Sequence, residues 1–230
     1  VEVSLKTGSV LNTLEVGTNP EGITGIGNLV YVANSGPENT VSIINASTST
    51  VTHKQVPCDV PHDIFSGNDA HITLACRGKT VYSADYSEIL EQTNGSILFY
   101  GSSLDDYKGR IDLEVQLGST NGTRMGTLDA SGKVLFLTSG SSNSVFKIDT
   151  ESRALVRHVL LVSDQGLIGI SGIAYDSGDK RLYVGRFPKG NAGEFPDFTG
   201  SGTVEIYNDA FQLLGDFPAG ISISEIILRD

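Results

Sequence analysis

The chain has 230 residues, of which 16 are basic and 27 acidic, giving a formal net charge of −11 at pH 7. That balance excludes a nucleic-acid or anionic-membrane partner, since both need clustered Lys and Arg and no basic run occurs. The apolar stretches, such as His158-Val159-Leu160-Leu161-Val162, are far too short to span a bilayer, and the length suits one all-β domain with a substantial core.

The chain opens on strand-like residues 1–5, followed by a second strand-like run at 10–16. There is no initiator Met and no signal segment, so the chain reads as a mature or trimmed form whose export signal has been removed. A clear unit of four strands follows. It runs Pro20–Ile26, Leu29–Asn34, Thr40–Asn45 and Ser49–Val56, with small residues in the first strand and a Tyr-Val string in the second. A later copy runs Ile170–Tyr175, Arg181–Arg186, Thr203–Asn208 and Phe211–Asp216. Self-similarity at a period of roughly 40 to 50 residues, with four strands per unit, is the signature of a propeller blade. Labelled A to D from the channel outward, the strands define blades at 18–58, 59–118, 119–164 and 165–219. The remainder supplies a strand A at 221–227, a strand C at 2–5 and a strand D at 10–16. The predicted fold is therefore an all-β, five-bladed β-propeller in a single domain, 1–230. Its closing blade joins 220–230 to 1–17 and lacks a strand B. Ring closure would remove an aggregation-prone sheet edge.

Blades two and four carry long insertions between strands B and C, at 78–94 and 187–200. Connections longer than about a dozen residues are usually functional or disordered. The second holds Phe187, Phe195, Phe198, Pro188 and Pro196, which predicts a packed lid or a cap on the barrel edge. Cys58 and Cys76 fall at chain positions that open onto one face. They form either a disulfide, closing a loop of about 18 residues and contributing roughly 3 kcal/mol, or two buried thiols. Sequons at Asn45, Asn94 and Asn121 permit glycosylation.

Topology brings the D-to-A turns and B-to-C loops to one face, around the channel mouth. The starts of the A strands place Glu21, His62, Arg124, Ser171 and Glu225 or Ser224 there. The ends of the B strands place Asn34, Arg77, Ser139 and Arg186. Three readings are open. Charges can pair across the channel, Arg124 with Glu21 or Glu225. Glu21, Asn34, His62, Arg77, Arg124, Ser171, Arg186 and Glu225 can line a ligand pocket, where a few convergent polar groups orient a small molecule. Or Glu21, His62 and Asp63 can bind a divalent cation (Ca) or serve as catalytic acid and base, with His62 as proton shuttle. His53, His71 and His158 read as edge or surface residues. No nucleophile elbow, phosphate loop or zinc motif occurs, and the acidic strings at 129–132 and 176–179 suit hairpin turns.

Leu29-Val30-Tyr31-Val32-Ala33-Asn34, Asn39–Asn45 and Leu182-Tyr183-Val184 resemble the YVTN-type propeller repeats of surface and secreted proteins. More distantly the chain is similar to the gluconolactonase and regucalcin group, whose propellers hold a catalytic metal at the channel mouth. Glu21-Gly22 matches that group's first ligand turn; Arg124 and Ser171, or the offset Asn121-Gly122, stand where the second and third are expected. The expectation is a secreted or cell-surface monomer that binds a small molecule or partner at the mouth. The alternatives are a lactone hydrolase or isomerase with its site there, and a non-catalytic scaffold contacted through 78–94 and 187–200.

Overall fold

Runs of Val, Ile, Leu, Tyr and Phe broken by short polar turns can bury backbone polar groups only by pairing side by side. The computed structural model describes residues 1–120, 125–163, 166–190, 195–221, 223 and 225–228, and among these every regular element is a strand. Strands β1 (Glu2–Val3) and β2 (Val10–Asn12) form a small hairpin. A four-stranded sheet follows, built from β3 (Pro20–Ile26), β4 (Leu29–Asn34), β5 (Thr40–Asn45) and β6 (Thr50–Gln55). The second sheet starts with β7 (Pro61–Ser66) and β8 (Ile72–Cys76). It is interrupted by a separate hairpin, β9 (Thr80–Tyr82) and β10 (Ile89–Gln92), and ends with β11 (Ser96–Tyr100) and β12 (Tyr107–Asp112). The third comprises β13 (Gly126–Leu128), β14 (Val134–Ser139), β15 (Ser144–Asp149) and β16 (Ala154–Leu160). The fourth comprises β17 (Leu167–Asp176), β18 (Arg181–Pro188), β19 (Ser201–Asn208) and β20 (Leu213–Ile221). Each of the four is antiparallel throughout.

Three apolar layers join these sheets face to face in chain order. Tyr31, Ala33 and Val41 pack on Ile64, Leu74 and Leu98. Phe65, Ile97 and Phe99 pack on Leu135, Leu137 and Phe146. Phe136 and Val145 pack on Ile170, Leu182 and Val184. Both faces of the second sheet are thus covered, which explains why β8 and β11 are buried at every residue rather than alternating. A buried side chain of this size contributes about 1.5–3 kcal/mol. Gly132 (φ +76) lets one hairpin nest on the next sheet: a Cβ there would lie 2.7 Å from the Asn68 nitrogen.

The first strands of all four sheets surround a central cavity of about 550 Å³, lined by Thr24, Ser66, Leu128 and Tyr175 and by residues 225–228. The C-terminal segment thus shares this cavity with the four first strands. The closing unit differs from the expectation in its hydrogen bonding. Ile221 belongs to β20, and residues 223 and 225–228 lie in no strand. Among the described residues β1 and β2 pair only with each other. No strand B lies between these pieces to receive their backbone groups, and the predicted strands at 2–5 and 10–16 shrink accordingly.

Cys58 and Cys76 are disulfide-bonded, with Cα atoms 6.1 Å apart. The insertion at 78–94 is mostly the β9–β10 hairpin, and that at 187–200 folds back through a Lys189–Pro196 pairing. Phe198 packs edge-on against the buried Phe187 ring, centroids 5.0 Å apart. Among the described residues, no helix is long and apolar enough to cross a membrane.

Candidate functional site at the channel mouth

Three first strands bulge where they reach the mouth. On β3, Pro20 pairs with Asn34 but Ile23 with Val32, so the Glu21-Gly22 stretch carries one residue too many. On β7, Pro61 pairs with Cys76 and Asp63 with Ala75, leaving His62 as the extra residue. On β17, Ile168 pairs with Phe187 and Gly172 with Gly185, so residues 169–171, which include Ser171, hold two extra. Bulges re-aim side chains and end pairing. Here they do so at equivalent places on the first, second and fourth sheets.

His62 is 5% exposed, and its Nδ1 is buried with no hydrogen-bond partner among the described residues. Burial holds its imidazole below the ordinary value; the Glu21 carboxylate opposes this and the Arg77 guanidinium adds to it. Glu21 and Arg77 therefore both lie within electrostatic reach of the His62 ring. Glu21 is exposed, and its Oε1 accepts from the Ser35 hydroxyl at 3.3 Å. Gly22 permits the close crossing of β3 over β7, since a Cβ there would sit 2.7 Å from Asp63 Cα.

The other expected mouth residues have different surroundings. Asp63 is buried, and its Oδ1 accepts the Ile64 N–H at 3.1 Å. Asn34 turns into the first sheet, donating to Ser42 Oγ (3.0 Å) and Thr40 Oγ1 (3.1 Å). Arg186 is buried against Glu205. Ser139 and Ser171 are fully buried. Glu225 is exposed beside Gly172 on the channel wall. Arg124 and Ser224 lie outside the described residues.

Among the described residues, no three His, Cys, Asp or Glu side chains come together as metal ligands. The setting does not favour a divalent cation: the Arg77 guanidinium bears on the same His62 ring as Glu21, and Asp63 is packed under Gly22.

The sequence did not reveal a second feature of this face. A pocket of about 380 Å³ opens beside the second insertion, bounded by Arg77, Gln116, Thr120, Ser141, Phe195 and Pro196. The strap at 117–120 crosses its floor, with Gly118 paired to Ser139 and Thr120 exchanging hydrogen bonds with Ile170. Gln116 Nε2 fastens the base of the β9–β10 hairpin, donating to Thr80 Oγ1 (2.9 Å) and Thr93 O (3.1 Å). The available signal was that both insertions occupy B-to-C positions.

A pH prediction follows from His62. Its folded-state affinity for a proton is depressed below the unfolded value of about 6.5. Below that pH the unfolded chain takes up a proton that the folded chain resists, so the His62 contribution is present above about 6.5 and is lost as pH falls. Urea midpoints should fall more steeply on acidification from about pH 7.5 to 5 for the wild type than for His62→Asn. Parallel curves would disprove the assignment.

Neither a family model nor a curated protein sequence matches the chain. Among solved structures it superposes on hydrazine synthase from Kuenenia stuttgartiensis, a protein containing a β-propeller, with a TM-score of 0.69 at 19% sequence identity. The alignment covers 94% of this chain and 58% of that one, so the chain spans under two thirds of its length. The fold is propeller-like. At such low identity the likeness extends to architecture alone, and the resemblances to YVTN repeats and to the gluconolactonase group gain no family match.

Proposed function

We propose that this chain is a five-unit β-propeller of a secreted or cell-surface protein that binds a small molecule at the mouth of its channel. The observation that carries the reading is the set of mouth bulges, which leave His62 nine-tenths buried, with a nitrogen unpartnered among the described residues, in electrostatic reach of Glu21 and Arg77. An orphaned buried polar atom is rare in native structures, and a ligand group is one way to satisfy it. The second long insertion, which borders a pocket that also takes in Arg77, supports the same placement. A fifth unit is supported by residues 225–228, which line the channel with four first strands. The disulfide is of the kind that persists in oxidising compartments, which supports export.

The test is chemical-shift mapping of the 15N-labelled chain against small carboxylic acids, sugars, lactones and esters. Binding should move amides at 21–22, 62–63 and 117–120. Shifts confined to the outer strands β6 and β16 would refute the proposal. A second reading, hydrolysis or isomerisation, draws on the same orphaned His62 nitrogen near a carboxylate. It requires turnover of a lactone or ester that His62→Asn abolishes, with the chain otherwise intact.

A further inference from the structure

We infer that the pocket between the strap at 117–120 and the second insertion takes the carboxylate or phosphate group of that ligand, with Arg77 as its charged contact and the Phe195 ring as its apolar wall. The inference rests on the mouth-binding reading above and names the ligand's chemistry. It begins from charge. In a chain of net charge −11, this pocket has a guanidinium at its rim and no Asp or Glu among its described lining residues. Eight described basic side chains (Lys54, Lys79, Lys108, Arg110, Lys133, Lys147, Arg181 and Arg186) are neutralised by a carboxylate. Among the described residues Arg77 has no such partner, and its guanidinium makes no hydrogen bond.

Arg77 is also held in place by its backbone. Its N–H donates to Val60 O at 2.9 Å, and its carbonyl accepts from Leu117 N–H at 3.0 Å. The residue before it, Cys76, is tied to Cys58. The arginine side chain then lies along Gly118, where an added Cβ would come 3.4 Å from Nε. The fixed backbone sets where the side chain starts, and the guanidinium presents a planar fork that suits carboxylate or phosphate oxygens. Across the pocket, Phe195 is 70% exposed and next to Pro196. An exposed aromatic ring at a pocket rim gains by covering a flat or aliphatic portion of a ligand. Thr120 and Ser141 add hydroxyls between the two. The volume of about 380 Å³ is that of a small-molecule site.

The experiment uses matched probes: benzoate against benzamide, and phenyl phosphate against phenol. Each is titrated into wild type, Arg77→Gln and Arg77→Lys, with amides at 117–120 and 140 as the readout. An anion should bind wild type at least about ten-fold more tightly than its neutral partner. Arg77→Gln should erase that preference, and Arg77→Lys should keep part of it. Benzoate tighter than phenyl phosphate identifies a carboxylate ligand, and the reverse a phosphate. Because Arg77 is exposed, melting of the variants should match wild type. Equal binding of charged and neutral probes on these amides would overturn the inference while leaving mouth binding intact. An anion preference that survives Arg77→Gln would overturn it as well. If no probe moves any mouth amide, the inference falls, and the mouth reading is decided by the wider panel of acids, sugars, lactones and esters.

Discussion

Arg186→Ala should lower the unfolding free energy by about 3–5 kcal/mol, because it leaves a buried carboxylate uncompensated. The side chain is 1% exposed and fully bonded. Nη1 donates to Glu205 Oε2 at 2.9 Å, Nε to Gly169 O at 2.7 Å, and Nη2 to Asn143 Oδ1 at 3.2 Å. Glu205 is 3% exposed and would keep only the Tyr207 hydroxyl, which donates to Oε2 at 2.7 Å. Burial, with that hydrogen bond adding to it, holds the Tyr207 phenol well above its ordinary pKa, so Tyr207 stays a donor. The knot ties the loop at Asn143 to the bulge at Gly169, and Asn143 Oδ1 also accepts the Gly169 N–H at 2.6 Å. Its loss should therefore disturb the β17 end of the mouth as well as stability. Replacing both partners by apolar residues, Arg186→Met with Glu205→Leu, should cost less than Arg186→Ala alone. Urea unfolding of the three variants decides it. A single-variant loss under about 1 kcal/mol would mean the ion pair is not compensating a buried charge.

That knot also shows where sequence reading stops. By sequence Arg186 and Asn34 both fall at the end of a second strand, which points to the mouth, although β18 runs on to Pro188. Yet side chains on a strand alternate faces, so a shift of one residue decides between channel mouth and sheet interior. The bulges on β3, β7 and β17 introduce such shifts, and a turn string such as Pro-Glu-Gly or Pro-His-Asp does not reveal how many residues a bulge will absorb. Arg77, by contrast, stands just past the end of β8 and is free of that constraint. The four-strand repeat was legible because its period is imposed by every buried apolar residue along β4, β8, β14 and β18. The closing unit was less so. Residues 221–227 have the composition of a first strand, but a strand needs a neighbour, and composition cannot supply one. The β9–β10 hairpin was read as loop although Thr80-Val81-Tyr82 and Ile89–Gln92 have strand character. The reason is that the hairpin projects outside the repeat, with Val81, Tyr82, Ile89 and Leu90 exposed, so the repeat pattern gave it no place.

The disulfide joins stability to the candidate site. Cys58→Ala with Cys76→Ala should cost about 3 kcal/mol, the chain entropy regained by an unfolded loop of this length. For a chain of this size that is a melting-temperature drop of about 6–12 °C. Alanine is the better replacement, because Cys76 is fully buried and Cys58 is 7% exposed among Val56, Tyr100 and Leu104, where a serine hydroxyl would add a desolvation cost of its own. Wild type in reductant should melt near the double variant. The bridge lies next to Arg77 in sequence and fixes the mouth end of β8 against the turn that leads into β7. Anion preference at the pocket should therefore weaken in the double variant even at temperatures where it remains folded. Benzoate titration at about 10 °C below its melting point reads this separately from unfolding. A reduced chain that melts within about 1 °C of the oxidised one would show that the unfolded state is already confined without the bridge. The link between the bridge and the Arg77 pocket would then have no energetic basis.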